Sequence, residues 1–316
     1  KRQCVCYLVS ASQRGRGGKY AIVHNAEKNR GAEPPDGAFS TSTAMVAWRE
    51  SFGLKLVNIL SYLLFTTSTL YTALGPKGSH VGGYTETYLT PAQWLFGVWP
   101  LIHTLFFGLL IYQFTERGSK LVVHSLGWRF PLLLFLNAVS DSLYVAHDRL
   151  FNILSFGVLC FVAGTVSHLY GTLRTDTEPE SLADTVLVYL PFSLYHGFVV
   201  VVFFVAAFAA FGVDSHEHPA GVVTKVLVFL TLFFLESTAA GYVFYGNGDV
   251  AGATVISLGL LAIFQNQTRS AFIHWSALVF FLISLIAVLR AAVATIQARR
   301  RPRVAATDEE QAPLVA

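Results

Sequence analysis

The sequence predicts an all-α fold, a polytopic transmembrane helix bundle of eight spans, with seven as the alternative. Hydrophobic residues make up 53% of the 316 residues and charged residues only 13%, whereas a soluble domain carries about 25% charged residues. The apolar residues form long stretches, each near the roughly 20 residues that a membrane-spanning helix needs. Lipid offers the backbone no hydrogen-bond partner, so such stretches form helices rather than open sheets.

Three regions are predicted along the chain. Residues 1–44 are rich in Gly, Arg, Ser and Asn and lack periodicity, which is typical of a disordered tail. The only methionine, Met45, directly precedes the first apolar stretch, and our hypothesis is that translation starts there and that the tail is not native. The helix bundle is predicted over 45–294, and a basic then acidic cytoplasmic tail over 295–316.

The charges between the apolar stretches predict the topology. The eight predicted spans are 51–74, 90–114, 127–146, 150–171, 184–211, 221–244, 250–265 and 271–293. Eight spans place most arginines of the connections, and the run that begins at Arg299, on the side of the N-terminus. By the positive-inside rule both termini are then cytoplasmic, whereas seven spans would force the basic C-terminus outside.

The second span carries an aromatic stripe. In "YLTPAQWLFGVWPLIHTLFF", Phe96, Trp99, His103 and Phe106 recur at helical spacing. Pro100 lacks the N–H that would reach the carbonyl of Phe96, so a kink is predicted there. The stripe has two interpretations, which are ordinary helix packing and the wall of a pocket.

Other spans contain polar and ionisable residues. Asn137 and Asp141 share one face of the third span, Tyr195 and His196 lie in the fifth, and Glu236 lies in the sixth. Ionisable groups inside a membrane are costly and usually face the bundle interior, so they are candidates for a functional site. The alternative is that these groups satisfy one another in hydrogen bonds between helices.

Three stretches carry motifs that are similar to those of a known family: "TPAQWLFGVWPLIH", "LNAVSDSLYVAHDRLFNILS" and "LPFSLYHGFVVV". The first resembles the signature, and the other two resemble later helices, of the long, seven-to-eight-span form of the TspO/MBR family of tryptophan-rich sensory or translocator proteins. The resemblance covers roughly 51–293. Short family members bind porphyrins or sterols between helices, so the resemblance implies a site for a hydrophobic ligand. Asp141 and Phe198 stand where the long form commonly has tryptophan, which leaves the ligand open.

The favoured prediction is a protein that binds or transports a tetrapyrrole, sterol or lipid rather than an enzyme. The mechanism would be aromatic stacking plus a polar group that fixes orientation. No cofactor is assigned, although haem or another porphyrin is one of the ligands considered. The residues predicted to line the pocket are Trp94, Phe96, Trp99, His103, Asn137, Asp141, Tyr195 and His196.

Two alternatives stay open at this point. One is an intramembrane metal-dependent lipid hydrolase with zinc on His103, His196 and His274, although no His-x-x-x-His pair on one helix supports a metal site. The other is a proton-coupled carrier or receptor in which Asp141 or Glu236 titrates. The expected partners are the lipid bilayer, a small hydrophobic ligand and, as an open alternative, a second copy of the chain. A net charge of +3 is too small to imply a nucleic-acid partner.

Overall fold

The computed structural model describes residues 52–74, 86–146, 148–244 and 248–310, with side chains described as far as 297. The predicted tail 1–44 and Met45 lie outside the described residues. The described parts form nine helices and no strand. The helices are α1 Phe52–Leu74, α2 Gln93–Tyr112, α3 Glu116–Leu126, α4 Arg129–Tyr144, α5 Arg149–Thr175, α6 Leu182–Phe211, α7 Val222–Phe244, α8 Val250–Asn266 and α9 Ala271–Glu310.

Each of the eight predicted spans overlaps one of these helices, and the all-α prediction is confirmed. Six of them, α1, α2, α5, α6, α7 and α9, are long and apolar enough to cross a membrane individually. The helices α3 and α4 together form a seventh apolar segment, bent by 68°. The bend lies at Gly127, whose φ of 56° favours a residue without a side chain.

The short helix α8 nevertheless runs from one end of the bundle to the other. At its start Asp249 is paired with Arg174, near the C-terminus of α5. At its end Asn266 donates to the carbonyl of Thr90, just before α2. We call the first of these the basic end and the second the opposite end. A helix of 17 residues is about 25 Å long, so α8 is slightly shorter than the roughly 30 Å hydrocarbon layer.

The helices α6 and α8 form the centre of the bundle. On one side α6 packs against α5, which packs against α4, and α4 packs against α1, while α2 lies against α6 and α1. On the other side α8 packs against α7 and α9. The centre is tight because a Cβ on Gly197 would lie 2.6 Å from the carbonyl oxygen of Gly252, well inside van der Waals distance. Small residues at such a crossing let two helix backbones approach closely.

The helices α2 and α6 each change helix type next to a proline. In α2 the residues Gln93–Gly97 form a 3-10 turn, and the α-helical part begins at Val98. Pro100 therefore lies in the first α-helical turn, where a missing N–H costs little, and the helix continues through it to Tyr112. In α6 the wider π-helical turns of Thr185–Tyr189 come just before Pro191.

We predict that Gly197→Ala lowers the free energy of unfolding by about 1–3 kcal/mol, because the added methyl group overpacks the α6–α8 crossing. Gly164→Ala is the matched control, since a Cβ on Gly164 in α5 would meet nothing within 4 Å. The control is expected to be neutral or to raise stability by up to about 1 kcal/mol. Unfolding of both variants in one detergent measures the difference, and equal stabilities would contradict the close crossing.

Candidate functional site

A cavity of about 140 Å³ lies between α1, α2, α4, α5 and α6. It is nearer the opposite end of the bundle, because the residues from α1 and α4 come from their last turns. Its lining is Thr69, Thr72, Ala73, Phe96, Trp99, Asn137, Ser140, Asp141, Tyr144, Ser155, Leu159, Phe198, Val199, Val202, Val205 and Ala206.

One wall of the cavity is aromatic. Phe96 and Trp99 project from α2, and Phe198 from α6 meets both of them edge to face. The ring centroids lie 4.9 Å apart for Trp99 and Phe198, and 6.2 Å apart for Phe96 and Phe198. Behind this wall the Trp99 indole contacts Phe65 and Tyr195. These contacts hold the aromatic rings in place, as a binding surface requires.

The other wall is polar and carries Asp141. Its Oδ2 accepts hydrogen bonds from Thr69 Oγ1 at 3.1 Å and, more weakly, from Asn137 Nδ2 at 3.5 Å. Asn137 is held in turn by the hydroxyl of the fully buried Tyr195, which donates to Asn137 Oδ1 at 2.8 Å. Asn137 and Asp141 meet because residues four apart lie on the same face of a helix.

Asp141 has no positively charged partner within the part of the chain that the structure describes. The basic side chains in described ion pairs are Arg117, Lys120, Arg174 and His216, and their partners are other carboxylates. The second oxygen, Oδ1, accepts no hydrogen bond from a described residue. The Asp141 carboxyl group therefore lines the cavity with one oxygen that has no hydrogen-bond donor among the described residues.

A second carboxylate, Asp249, is fully satisfied at the basic end. It is 6% exposed and is paired with Arg174. It also accepts hydrogen bonds from Tyr170 and from Ser193, both at 2.7 Å, and caps α8 through the N–H of Ala251. Sequence reasoning missed this cluster, although an aspartate directly before a helical apolar run is a known N-cap signal.

His196 belongs to the neighbourhood of Asp249 and not to the cavity. Its ring stacks on Tyr170 with centroids 4.7 Å apart. Its two nitrogens are hydrogen-bonded to the hydroxyl groups of Ser167, at 2.9 Å, and Tyr242. The imidazole thus joins α5, α6 and α7.

The remaining predicted residues lie in three different places. Trp94 is 44% exposed, and its N–H donates to Gln265 at 2.6 Å, away from the cavity. His103 packs one turn below Trp99 against Phe65, and its Nε2 is buried without a hydrogen-bond partner among the described residues. Glu236 is partly exposed on α7 and lies outside the cavity lining.

The three histidines of the hydrolase hypothesis do not converge. His103 packs on α1, His196 contacts α5 and α7, and His274 bonds to the carbonyl of Phe264 at the opposite end. Among the described residues no three His, Cys, Asp or Glu side chains are placed to hold one metal ion. The structure thus gives no support to a metal centre built from these three side chains.

We predict that Asp249→Ala lowers the free energy of unfolding by about 3–5 kcal/mol, because it leaves a partly buried guanidinium unpaired. Glu116→Ala is the control, since Glu116 forms an exposed ion pair with Lys120 one helical turn away, and such pairs contribute little. Thermal unfolding in detergent compares the two variants. If Asp249→Ala unfolds at the same temperature as the wild type, the cluster around Asp249 does not stabilise the fold.

Comparisons with known proteins place the chain in a family. The family model described as TSPO-like protein matches residues 55–290, which includes both walls of the cavity. No curated protein and no solved structure matches the chain. The match agrees with the resemblance in the three sequence stretches. The chain is a multi-pass membrane protein and belongs to the TSPO-like protein family.

Proposed function

We propose that this protein binds a small amphipathic molecule in the cavity between α1, α2, α4, α5 and α6. The apolar part of the ligand lies against Phe96, Trp99 and Phe198, and its polar group lies against Asp141. The observation that carries the proposal is that three aromatic rings and the Asp141 carboxyl group line the same cavity. Such a combination binds by apolar contact and selects by a few placed polar groups.

The size of the cavity limits what it holds. A cavity of about 140 Å³ is close to the roughly 150 Å³ that accommodates a benzene molecule. It is smaller than the roughly 300–1,000 Å³ of pockets for drug-sized ligands. A whole tetrapyrrole does not fit this conformation, whereas a benzene-sized group or the polar end of a lipid or sterol does.

A larger amphiphile can extend beyond the cavity. Ala73 is exposed although it belongs to the lining, so no described residue covers the cavity at this point of the last turn of α1. For a fragment that fills only the cavity we expect a dissociation constant of roughly micromolar to millimolar, as the affinity available to so few atoms is limited.

We predict that benzyl alcohol changes the tryptophan emission of the detergent-purified protein saturably, and that Trp99→Phe removes this change. The phenyl ring fills the apolar part of the cavity, and the indole of Trp99 is the fluorophore in its wall. Trp94→Phe is the matched control, because Trp94 lies on the same helix but outside the cavity. Its titration is expected to match that of the wild type. Cholesterol and protoporphyrin are titrated in parallel to test larger ligands.

Trp99→Phe removes the fluorescent indole, so a second measurement must show whether the variant still binds. The rise in the melting temperature of the protein on adding ligand provides it. Trp99→Phe retains an aromatic ring and is expected to keep most of this stabilisation by benzyl alcohol. If neither emission nor melting temperature responds to any of the three ligands, binding in the cavity is contradicted. A response lost in Trp94→Phe and kept in Trp99→Phe would place the ligand elsewhere.

A further inference from the structure

We infer that the ligand of the cavity is a cation, a small amine with an apolar group, whose ammonium is bound by the Asp141 carboxylate. The inference rests on the proposed function and specifies its ligand class. It is drawn from the carboxyl group in the polar wall, from the hydrogen-bonding capacity of that wall and from the aromatic rings that line the same cavity.

The carboxyl group of Asp141 is the part of the cavity that a positive ligand would compensate. A carboxylate in apolar surroundings is costly unless a cation or a proton compensates it. The arginines at the basic end do not compensate Asp141, because Arg174 is paired with Asp249 and Arg117 with Asp184 and Glu180. The bundle therefore neutralises its other buried carboxylates internally and leaves Asp141 directed at the cavity.

The hydrogen-bonding capacity of the polar wall points to a donor. The hydroxyl of Thr69 donates to Asp141, and that of Thr72 donates to the carbonyl of Ser68 at 3.0 Å. Ser140 and Ser155 donate to each other's backbone carbonyls across α4 and α5. Since these hydroxyl hydrogens are already used, these four side chains offer lone pairs to a ligand, together with Asp141 Oδ1, which accepts no hydrogen bond from a described residue. An ammonium brings three N–H donors and no acceptor.

The aromatic wall favours the same ligand. Phe96, Trp99 and Phe198 line the same cavity of about 140 Å³ as Asp141. A cation is attracted to an aromatic face within about 6 Å of the ring centre, so the rings that share this small cavity add to the attraction of an ammonium bound to Asp141. The ring faces attract a cation, and they also bury the apolar group that it carries.

Other ligand classes use the site less completely. A carboxylate, including the propionate side chains of a tetrapyrrole, meets a like charge and few free donors. A neutral alcohol donates one hydrogen bond and leaves the carboxylate without a counter-charge. The amine is the class that satisfies both walls.

The test compares benzylamine with benzyl alcohol and benzoate at pH 7, because the three share one ring and differ in the charge of the attached group. We expect the wild-type protein to bind benzylamine about tenfold or more tightly than benzyl alcohol, as expected for a hydrogen bond to a charged partner, and to bind benzoate weakest. Asp141→Asn is expected to abolish the preference for the amine and retain the binding of benzyl alcohol. Glu236→Gln is the control, since it removes another intramembrane carboxyl group that lies outside the cavity.

The outcomes separate this inference from the proposed function. If the wild type binds amine and alcohol with equal affinity, or if the preference for the amine survives Asp141→Asn, the inference of a cationic ligand at Asp141 is wrong. The proposal that the cavity binds a ligand would still stand. Absence of binding by all three compounds contradicts the proposed function itself. The ratio of the wild-type affinities for benzylamine and benzyl alcohol needs no variant, so it tests the inference even if Asp141→Asn does not fold. A preference lost equally in Glu236→Gln would overturn the assignment to Asp141.

Discussion

The close crossing of α6 and α8 is the contact on which the rest of the structure depends. Gly197 places the two backbones against each other, and Ser193, one turn earlier, hydrogen-bonds to Asp249 at the start of α8. With this face of α6 fixed, the rotation of the helix about its axis is fixed as well. Its other face then directs Tyr195, Phe198 and the valines that follow toward α2 and α4. The cavity therefore depends on the contact between α6 and α8, which lies on the face of α6 that is turned away from the cavity.

The carboxylates of Asp249 and Asp141 have different surroundings in the same bundle. Asp249 has an arginine, two hydroxyl donors and a backbone N–H, so its charge and its lone pairs are used. Asp141 has one short and one long hydrogen bond to neutral groups. Both sit among helices of the same bundle, so lack of space does not explain the difference. A structural role accounts for Asp249, whereas the arrangement around Asp141 suits an external partner.

Much of the fold follows from the sequence, because each apolar stretch must form its own helix in lipid. Helical periodicity also brings Phe96 close to Trp99 and Asn137 close to Asp141. It does not say which way a helix faces its neighbours. Tyr195 and His196 are adjacent, so they point about 100° apart in a helix, and only the crossing at Gly197 decides that Tyr195 supports the polar wall.

The position of Trp94 has a similar cause. Trp94 and Trp99 appear together in a family signature, but they are five positions apart, and the first part of α2 is a 3-10 turn with three residues per turn. The two indoles therefore cannot line the same surface. The Asp249 cluster was missed because its members come from α5, α6 and the loop before α8, and no local spacing connects them.

The packing below the cavity favours binding over passage in this conformation. Between the cavity and the basic end, Phe106, Phe130 and Phe192 are fully buried and meet edge to face, with centroids 5.4–5.7 Å apart. A ligand that entered from the opposite end would have to displace this cluster to cross the bundle. A close-packed interior cannot open by small displacements of its side chains. Transport would therefore require a second conformation in which α2, α4 and α6 pack differently. Binding at Asp141 requires only that the walls of the cavity stay where the α6–α8 contact puts them.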